Sequence, residues 1–358
     1  MNPARTYLLA GGGTAGHVNP LLAVADALRA REPDSTVLVL GTAEGLESRL
    51  VPQRGYHLLI VDKVPFPRRP NRAALAFPGR FRRAIGQVRD HLNEHGVDVV
   101  VGFGGYASAP AYVAARRAGI PFVVHEANAK PGLANVLGAR SAAAVGVAFE
   151  GTKLHGSEVV GMPLREEITG LDLSQRREEA AAYFGLDAAQ RTLLVFGGSL
   201  GAARLNAAFQ DAWPAVIGAG WQLIHIVGDR SDLAETLDQG YLVRRYEDRM
   251  DLAFAMADLV LCRAGAATVS EVSALGIPAV YVPYAVGNGE QARNAAGAVH
   301  RGAAILIDDS AMTGDRVRSQ IVPLLHDQQR LQTMRAAAAT AGTREGTANL
   351  IALIDRVV

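Results

Sequence analysis

Residues 7–24, YLLAGGGTAGHVNPLLAV, join an apolar run, a glycine-rich stretch and an alanine- and leucine-rich pattern without interruption. This order predicts a strand, a tight loop and the start of a helix. Such loops bring backbone N–H groups close to a phosphate or a sugar, and the helix that follows directs its positive end at negative charge. His17 adds a titratable imidazole at the edge of the loop. The stretch therefore predicts a ligand site at the end of the first strand.

The glycines of residues 11–16 also satisfy G-x-G-x-x-G, the fingerprint of dinucleotide-binding folds. That fingerprint needs an acidic residue near the end of the second strand, where it holds a ribose. The second predicted strand, residues 37–40, ends without one, and the next acids are Glu44 and Glu47. This disfavours nicotinamide or flavin binding. A purely conformational role for the glycines leaves His17 unexplained.

Composition narrows the class of protein. The chain has 358 residues, a formal net charge of +1 and a single cysteine, which predict two domains and no nucleic-acid partner. Cys262 cannot form an intramolecular disulfide, and its apolar surroundings predict a small buried side chain. No apolar run reaches the length of about 20 residues needed to span a bilayer, and no secretory signal precedes the first strand. We therefore expect a protein that is made and used inside the cell.

Apolar runs typical of strands alternate with helical patterns along the whole chain. The predicted strands are residues 7–10, 37–40, 97–101, 121–125, 142–148, 192–196, 222–227, 259–262, 279–282 and 304–307. The alternation predicts an α/β protein with two Rossmann-like domains, whose parallel sheets face each other across a cleft. A break near Gly161 to Pro163, followed by a charged helix over 174–183, places the domains at 1–162 and 163–358.

The second half opens with another strand, glycine loop and helix, LLVFGGSLGA at residues 193–202. Within it, residues 197–201 also match G-x-S-x-G, the nucleophile elbow of α/β-hydrolases. A hydrolase would need a later histidine, and His225 or His300 are the candidates, but neither follows a strand-end loop of the kind a catalytic histidine occupies. A serine and N–H groups that bind a phosphate suit the paired loops better.

Other strand ends carry polar side chains. Residues 262–271, CRAGAATVSE, predict a helix that begins near Thr268, with Glu271 in its first turn where it can accept from a ribose diol or act as a cap. The side-chain amides within residues 287–294, the glycine loop 102–108 and the HEAN segment 125–128 also lie at or after the ends of predicted strands. The carboxyl ends of parallel strands bind ligands, so these segments should surround one cleft. No D-x-D pair occurs, and we expect no metal and no cofactor.

Five ordered segments resemble the MurG family of bacterial glycosyltransferases. They are GGGTAGHVNP, GFGGYASAP, HEAN with PGLAN, FGGSLGAARLN, and CRAGAATVSE with GIPAVYVPY and EQARNA. The resemblance runs from Leu8 to about residue 300 and implies a two-domain GT-B fold, in which residues 1–162 face the acceptor and the membrane and 163–358 bind the UDP-sugar. It also implies that the last helix, about 347–357, crosses back to the first domain.

The resemblance further implies the reaction and its site. The reaction is an inverting, metal-free transfer of N-acetylglucosamine from UDP-N-acetylglucosamine to the C4 hydroxyl of undecaprenyl-pyrophosphoryl-N-acetylmuramoyl-pentapeptide (lipid I), which gives lipid II for peptidoglycan. The implied donor contacts are Thr14, Ala15, Gly16 and Asn128 near the transferred sugar, Arg165 and Ser199 at the diphosphate, Glu271 at the ribose and Gln291 at the sugar hydroxyls. The sequence departs from the family pattern at Ala127, Leu200 and Glu290.

His17 is the candidate general base for this transfer, because an imidazole titrates near working pH and can take the proton of the acceptor hydroxyl. The alternatives are another GT-B enzyme, either a diacylglycerol glycosyltransferase or a UDP-N-acetylglucosamine 2-epimerase, and a non-catalytic membrane-recruiting subunit that has kept only half of the site. Loss of a glycine loop or of Glu271 would indicate the non-catalytic subunit, and the chain retains them all.

Residues 68–89 hold seven arginines and no acid. Phe81, Ile85, Val88 and Leu92 are spaced for one buried helix face, whereas Leu75 and its neighbour Phe77 fall in a stretch broken by proline and glycine, which predicts a loop. The arginines form either a solvated basic face or a contact with an anionic membrane. The lipid-linked acceptor favours the membrane contact, and with it a peripheral location on the cytoplasmic face of the bacterial plasma membrane.

Overall fold

The computed structural model describes residues 4–67, 72–198, 201–284 and 289–358, with the side chains of residues 72 and 73 excepted. The chain divides into two compact units. Unit 1 comprises Met1–Arg165 together with Arg344–Val358, and unit 2 comprises Glu166–Thr343. Each unit contains one Rossmann-like sheet of seven strands.

Unit 1 is built on a fully parallel sheet with the strand order β3-β2-β1-β4-β5-β6-β7. Its strands are β1 Thr6–Ala10, β2 Thr36–Gly41, β3 His57–Ile60, β4 Val99–Gly102, β5 Phe122–Glu126, β6 Ala144–Val147 and β7 Ser157–Val159. Its first helices are α1 Ala15–Arg31, α2 Glu47–Gln53, α3 Arg72–Glu94, α4 Ser108–Ala118 and α5 Leu133–Ala139.

The central strands of this sheet are apolar on both faces because helices cover both sides. Leu8 and Ala10 of β1 point into one core layer, and Tyr7 and Leu9 point into the other. This burial on two sides explains why the strands form continuous apolar runs rather than alternating patterns. The strand order reverses between β1 and β4, so the loops after these two strands diverge and leave a crevice at their carboxyl ends.

Unit 2 repeats this plan with the strand order β10-β11-β9-β8-β12-β13-β14, in which only the pair β10–β11 is antiparallel. The strands are β8 Thr192–Phe196, β9 Gln222–Ile226, β10 Thr236–Asp238, β11 Tyr241–Arg244, β12 Ala257–Cys262, β13 Ala279–Tyr281 and β14 Ala304–Leu306. The helices are α6 Glu166–Thr169, α7 Leu173–Phe184, α8 Ala203–Gly218, α9 Met250–Met256, α10 Ala266–Ala274, α11 Glu290–His300, α12 Gly314–Arg316, α13 Val322–His326 and α14 Gln328–Ala338, with a 3₁₀ turn at Asp309–Ala311 and a π-helical turn at Val317–Ile321. Here the order reverses between β8 and β12.

The last helix, α15 Gly346–Asp355, packs within unit 1, against α1, β5 and β6. Gly346 lies so close to the backbone of Met162 that a Cβ there would overlap it. Leu350 and Ile354 are buried in the core, and Asp355 forms an ion pair with Arg31 at 2.7 Å.

The ten predicted strands are all present, with ends shifted by a residue or two. Phe81 and Ile85 of α3 pack in the core, as the spacing predicted, together with Val88 and Leu92. The loop predicted around Leu75 and Phe77 is wrong, because α3 continues through Pro78 and includes both residues. Packing of Phe77 against the core and against the ring of Phe81, with centroids 5.5 Å apart, keeps this first part helical.

The packing of α15 yields a stability prediction. Leu350→Ala empties a site that is 0% exposed, and we expect the free energy of unfolding to fall by about 2–5 kcal/mol. Leu75→Ala is the matched control, since that side chain is 84% exposed and its loss should cost under about 0.5 kcal/mol. Urea denaturation followed by circular dichroism measures both. Equal losses in the two variants would contradict the packing of α15.

Candidate active site

The first glycine loop connects β1 to α1 at the reversal of strand order in unit 1. Thr14 is the N-cap residue and α1 begins at Ala15. Thr14 and Ala15 are exposed and Gly16 is half-buried. The N–H groups of Ala15 and Gly16 belong to the first turn, where a helix has no carbonyl partners of its own. The loop can therefore offer these N–H groups to a ligand.

A buried carboxylate lies behind this loop. Glu47, at the start of α2, is 0% exposed. Its Oε2 accepts a hydrogen bond from the N–H of Gly13 at 2.7 Å. Its Oε1 accepts from the N–H and the hydroxyl of Thr42, at 2.9 and 2.8 Å. The Gly13 N–H is therefore engaged inside the protein and does not face a ligand.

His17 is the third residue of α1, in its first turn, and is half-buried. Nδ1 lies 3.1 Å from the carbonyl oxygen of Gly12 and 3.3 Å from the hydroxyl of Thr14. A carbonyl oxygen only accepts, so Nδ1 carries the proton in the neutral ring and Nε2 holds the lone pair. This is the tautomer that a base acting through Nε2 requires.

The loop after β4 approaches the first loop closely. Gly104 and Gly105 have φ values of +94° and +84°, and a Cβ on Gly105 would overlap the carbonyl of Gly12. The hydroxyl of Ser108 donates to the carbonyl of Ala10 at 2.9 Å and accepts from the N–H of Gly104 at 3.0 Å. Glycine is thus required at position 105 both for its conformation and for the close approach.

Asn128 lies in a loop organised by a second buried acid. Glu126, at the end of β5, is 2% exposed and accepts from the N–H groups of Asn128 and Gly132, each at 2.9 Å. It also accepts from the side-chain amide of Asn135 at 2.9 Å. Glu126 therefore fixes the backbone of Asn128 and the orientation of Asn135.

The histidine before Glu126 is a poor base. His125 is 0% exposed, and burial lowers its pKa to about 4, with the nearby His17 adding to the effect. Its Nε2 lies 3.0 Å from the carbonyl of Gly161, to which it donates. The imidazole is neutral near pH 7 and serves packing.

The second glycine loop connects β8 to α8 in unit 2. Ser199 and Leu200 lie outside the described residues. Gly198 and Gly201, which flank them, have φ values of +93° and +76°. A Cβ on Gly201 would overlap the carbonyl of Val227, so this loop also depends on a close backbone approach.

A neutral polar network supports this loop. Asn206 of α8 donates to the carbonyl of Val227 at 2.8 Å and contacts Nε2 of His225 at 3.2 Å. Nδ1 of His225 lies 3.0 Å from the hydroxyl of Tyr241. Burial lowers the pKa of His225 to about 3. Both its ring nitrogens are engaged and His300 is exposed at the end of α11, so the geometry gives the hydrolase interpretation no support.

Glu271 belongs to α10, which follows β12. The helix begins at Ala266, so Glu271 lies in its second turn; the prediction of a start near Thr268 was wrong. Small side chains from residue 264 onward allow the earlier start. Glu271 is half-buried, and its charge adds to burial in raising the pKa of the Cys262 thiol. Cys262 is buried, as the sequence predicted.

The segment after β13 is closed by side-chain hydrogen bonds, although residues 285–288 lie outside the described part of the chain. Oε1 of Gln291 accepts from the N–H of Tyr284 at 2.9 Å, which leaves its NH₂ group as the donor for a hydroxyl. The amide of Asn294 donates to the carbonyl of Ala264 at 3.3 Å. Arg263 pairs with Asp309 at 2.6 Å.

The predicted site residues thus fall into two groups. In unit 1, His17 follows β1, Gly104 follows β4 and Asn135 follows β5. A Cβ on Gly104 would lie 3.1 Å from Nε2 of His17 and 3.4 Å from the amide nitrogen of Asn135, so the ends of these three strands converge. Glu271 and Gln291 follow adjacent strands of unit 2. Arg165 is half-buried at the end of unit 1, next to Leu164, whose carbonyl accepts from the hydroxyl of Thr347 at 3.3 Å.

Sequence reasoning gave Glu47 no role in the site, and it included Glu126 and Asn135 only as members of the HEAN and PGLAN segments, without a function of their own. Glu47 carries no sequence signal of its own, because its position among Gly12, Gly41 and Gly45, each of which would overlap its side chain if it had a Cβ, is formed only by the fold. The side chain of Glu47 occupies the space that side chains at these three positions would otherwise fill.

A further group concerns metal binding. Among the described residues, ligand atoms of His91, Glu94 and His95 lie within 4.8 Å of one another. His91, near the end of α3, and His95, just after it, are spaced as H-x₃-H, a metal-ligand spacing that the expectation of no metal overlooked. His95 lies beside His57, at the amino end of β3, whereas the glycine loops lie at carboxyl ends of strands. The group is therefore separate from the candidate active site.

Comparison with known proteins identifies the family. The model of the glycosyltransferase family 28 N-terminal domain matches residues 7–147, and that of the glycosyltransferase family 28 C-terminal domain matches residues 192–350. The chain is 59% identical to a UDP-N-acetylglucosamine–N-acetylmuramyl-(pentapeptide) pyrophosphoryl-undecaprenol N-acetylglucosamine transferase of Clavibacter sepedonicus, over 98% of this chain and 96% of that protein. It is 51% identical to the protein of the same name from Mycolicibacterium smegmatis, over 94% and 90%.

Solved structures agree with this result. The crystal structure of MurG from Acinetobacter baumannii has a TM-score of 0.77 and 29% identity, covering 99% of this chain and all of that one. A UDP-N-acetylglucosamine 2-epimerase structure from Listeria monocytogenes has a TM-score of 0.68 at 14% identity, over 98% and 96%, and shares the fold. No helix in the described ranges is both long and apolar enough to cross a membrane. The chain belongs to glycosyltransferase family 28.

Proposed function

We propose that the protein transfers N-acetylglucosamine from UDP-N-acetylglucosamine to the C4 hydroxyl of lipid I, forming lipid II for peptidoglycan. The names of its near full-length relatives describe this transfer. The observation that carries the chemistry is His17, whose Nδ1 is held by the Gly12 carbonyl so that Nε2 retains its lone pair. It lies at the strand reversal of unit 1, where sheets of this kind bind ligands.

Unit 2 binds most of the donor in this proposal. The carboxylate of Glu271 accepts from the ribose hydroxyls, and the NH₂ group of Gln291 donates to the sugar. Ser199 and the positive end of α8, together with Arg165, bind the diphosphate. Thr14, Ala15, Gly16 and Asn128 of unit 1 contact the transferred sugar.

The transfer is a single displacement with inversion. The acceptor oxygen forms a bond to the anomeric carbon while the bond from that carbon to the UDP oxygen breaks. Nε2 of His17 takes the hydroxyl proton, and UDP leaves with the electron pair. The growing charge on the diphosphate is stabilised by the groups that bind it.

Incubation with labelled UDP-N-acetylglucosamine and a short-chain lipid I analogue tests the reaction. We expect a labelled disaccharide product. Isomerisation of UDP-N-acetylglucosamine, or release of UDP from it, in the absence of any acceptor would favour a 2-epimerase and contradict the proposal. A labelled diacylglycerol product, formed when diacylglycerol replaces lipid I, would indicate the other GT-B activity.

His17→Ala tests the base. We expect kcat to fall by about 10²- to 10⁴-fold, because general-base assistance is lost, while the Kd for UDP-N-acetylglucosamine changes little. His155→Ala is the matched control, as this histidine is exposed elsewhere in unit 1. Turnover near the wild-type value in His17→Ala would refute the assignment.

Glu271→Gln tests the ribose contact. Loss of a charged acceptor should weaken UDP binding by about 10- to 100-fold, measured by calorimetry with UDP. Glu178→Gln changes an exposed acid of α7 in the same unit and should leave binding unchanged. Equal UDP affinity in both variants would remove Glu271 from the donor site.

We also propose that α3 docks unit 1 on the cytoplasmic face of the plasma membrane. Leu75 is 84% exposed, and Phe66, 59% exposed, stacks edge-on against Phe77 with centroids 5.4 Å apart. Arg82 and Arg83 follow on the same helix with exposed side chains. Apolar side chains beside exposed arginines suit shallow insertion among anionic lipids. Arg68 and Arg69 of the predicted basic segment lie outside the described residues.

Co-sedimentation with vesicles that contain anionic lipid tests this docking. Arg82→Gln with Arg83→Gln should weaken binding by about 2 kcal/mol, since each basic residue contributes about 1 kcal/mol near such a surface. Arg116→Gln with Arg117→Gln is the matched control, an exposed arginine pair at the end of α4. The same loss in both pairs would mean that net charge alone is responsible.

A further inference from the structure

We infer that Glu47 is a positioning residue for His17, acting through the peptide group that joins Gly12 to Gly13. The inference rests on the proposed role of His17 as the base. Glu47 does not contact the substrate in this scheme. It holds and polarises the group that selects the reactive form of the imidazole.

One peptide group makes both contacts. Its carbonyl, from Gly12, lies 3.1 Å from Nδ1 of His17. Its N–H, from Gly13, donates to Oε2 of Glu47 at 2.7 Å, a length typical of a charge-assisted hydrogen bond. The atoms therefore form a continuous chain from carboxylate to peptide to imidazole. In a trans peptide the N–H and C=O point in opposite directions, so the two partners sit on opposite sides of it.

The carboxylate strengthens the contact with His17. A negative charge at the N–H end of a peptide polarises the group and makes its carbonyl a better acceptor. A better acceptor favours the proton on Nδ1 over the competing arrangement, in which the hydroxyl of Thr14, 3.3 Å away, donates to Nδ1. When Nε2 takes the acceptor proton, the same carbonyl stabilises the imidazolium. The aspartate of a serine-protease triad acts on its histidine in this way, but by direct contact.

The surroundings of Glu47 hold its side chain in one position. The side chain is 0% exposed, and Gly12, Gly41 and Gly45 leave room for it where any Cβ would overlap it. Thr42 holds the other oxygen with two hydrogen bonds. Burying a carboxylate is costly unless its oxygens accept hydrogen bonds. The Gly13 N–H is thereby committed to Glu47, and the negative charge behind the loop disfavours a diphosphate there and suits a neutral sugar.

The tautomer of His17 is the direct readout. In protein with ¹⁵N-labelled histidine, two-bond ¹H–¹⁵N spectra distinguish Nδ1–H from Nε2–H, and the spectrum of His17→Gln assigns the ring. We expect the wild-type ring to be the Nδ1–H tautomer when neutral. A dominant Nε2–H tautomer in the wild-type protein would overturn the inference before any variant of Glu47 is made.

Glu47→Gln keeps the shape of the side chain and removes its charge. We expect a smaller Nδ1–H population and a fall in kcat of about 10- to 100-fold, with little change in the Kd for UDP. Thr42→Val removes the hydroxyl donor to Oε1 and retains the contact with Gly13, so the His17 tautomer should match the wild type even where stability is lowered. Glu44→Gln changes an exposed acid paired with Lys63 at 3.1 Å, and its kcat should equal that of the wild type.

The outcomes separate this inference from the proposed function. If His17→Ala retains turnover, the base assignment fails, whatever Glu47 does. If His17 is essential but Glu47→Gln leaves both tautomer and kcat unchanged, only the role of Glu47 fails. A fall in kcat that Thr42→Val reproduces at equal stability, without a change of tautomer in either variant, would assign Glu47 to loop stability alone.

Discussion

Two buried carboxylates make the glycine-rich architecture of unit 1 possible. Glycine loops that pass close to each other have backbone N–H groups with no partner in a strand or helix. Where such an N–H faces the protein interior, leaving it unpaired is costly. Glu47 and Glu126 point inward and accept from the N–H groups of Gly13, Asn128 and Gly132. A buried carboxylate is itself costly without donors, so the loops and the acids need one another.

The two units support their glycine loops with groups of different charge. Behind the first loop lies a carboxylate, whereas the loop of unit 2 is supported by Asn206, His225 and Tyr241. This network is neutral near pH 7, because burial lowers the pKa of His225 to about 3. Positive helix ends attract a diphosphate most strongly where no negative charge lies behind them. The contrast supports the proposal that the glycine loop of unit 2 binds the diphosphate and the first glycine loop of unit 1 contacts a sugar.

Much of the fold follows from patterns within single segments. The central strands are buried on both faces, so their apolar runs were recognisable, and the carboxyl ends of parallel strands predicted where loops gather. The strands β3, β7, β10 and β11 escaped prediction. They lie toward the sheet edges and are short, and Thr236–Asp238 is exposed throughout. A strand such as β10, which buries little, carries no strong apolar signal. In contrast, β11 buries Tyr241, Leu242 and Val243, and its apolar run is too short to stand out in the sequence.

The residues of the candidate site were recognisable in the sequence only where their chemistry is local. His17 and the glycine loops stand out because their residue types occur together in the chain. Glu47 does not, since a glutamate at the start of a helix is usually a solvated partner of the helix dipole. Its burial depends on Gly12 after β1, Gly41 at the end of β2 and Gly45 in the loop that follows, which only the folded sheet brings together.

Two histidines near the glycine loops show how position decides reactivity. His125 and His17 are close enough for the charge of one to lower the pKa of the other. His125 is completely buried, and its neutral ring donates to the carbonyl of Gly161. His17 is half-buried and donates through Nδ1, which leaves Nε2 as the basic atom. A fold shared with a 2-epimerase at a TM-score of 0.68 does not determine chemistry. In the proposed mechanism, the base of unit 1 depends on the chain of contacts that runs from Glu47 through one peptide group to the half-buried imidazole of His17.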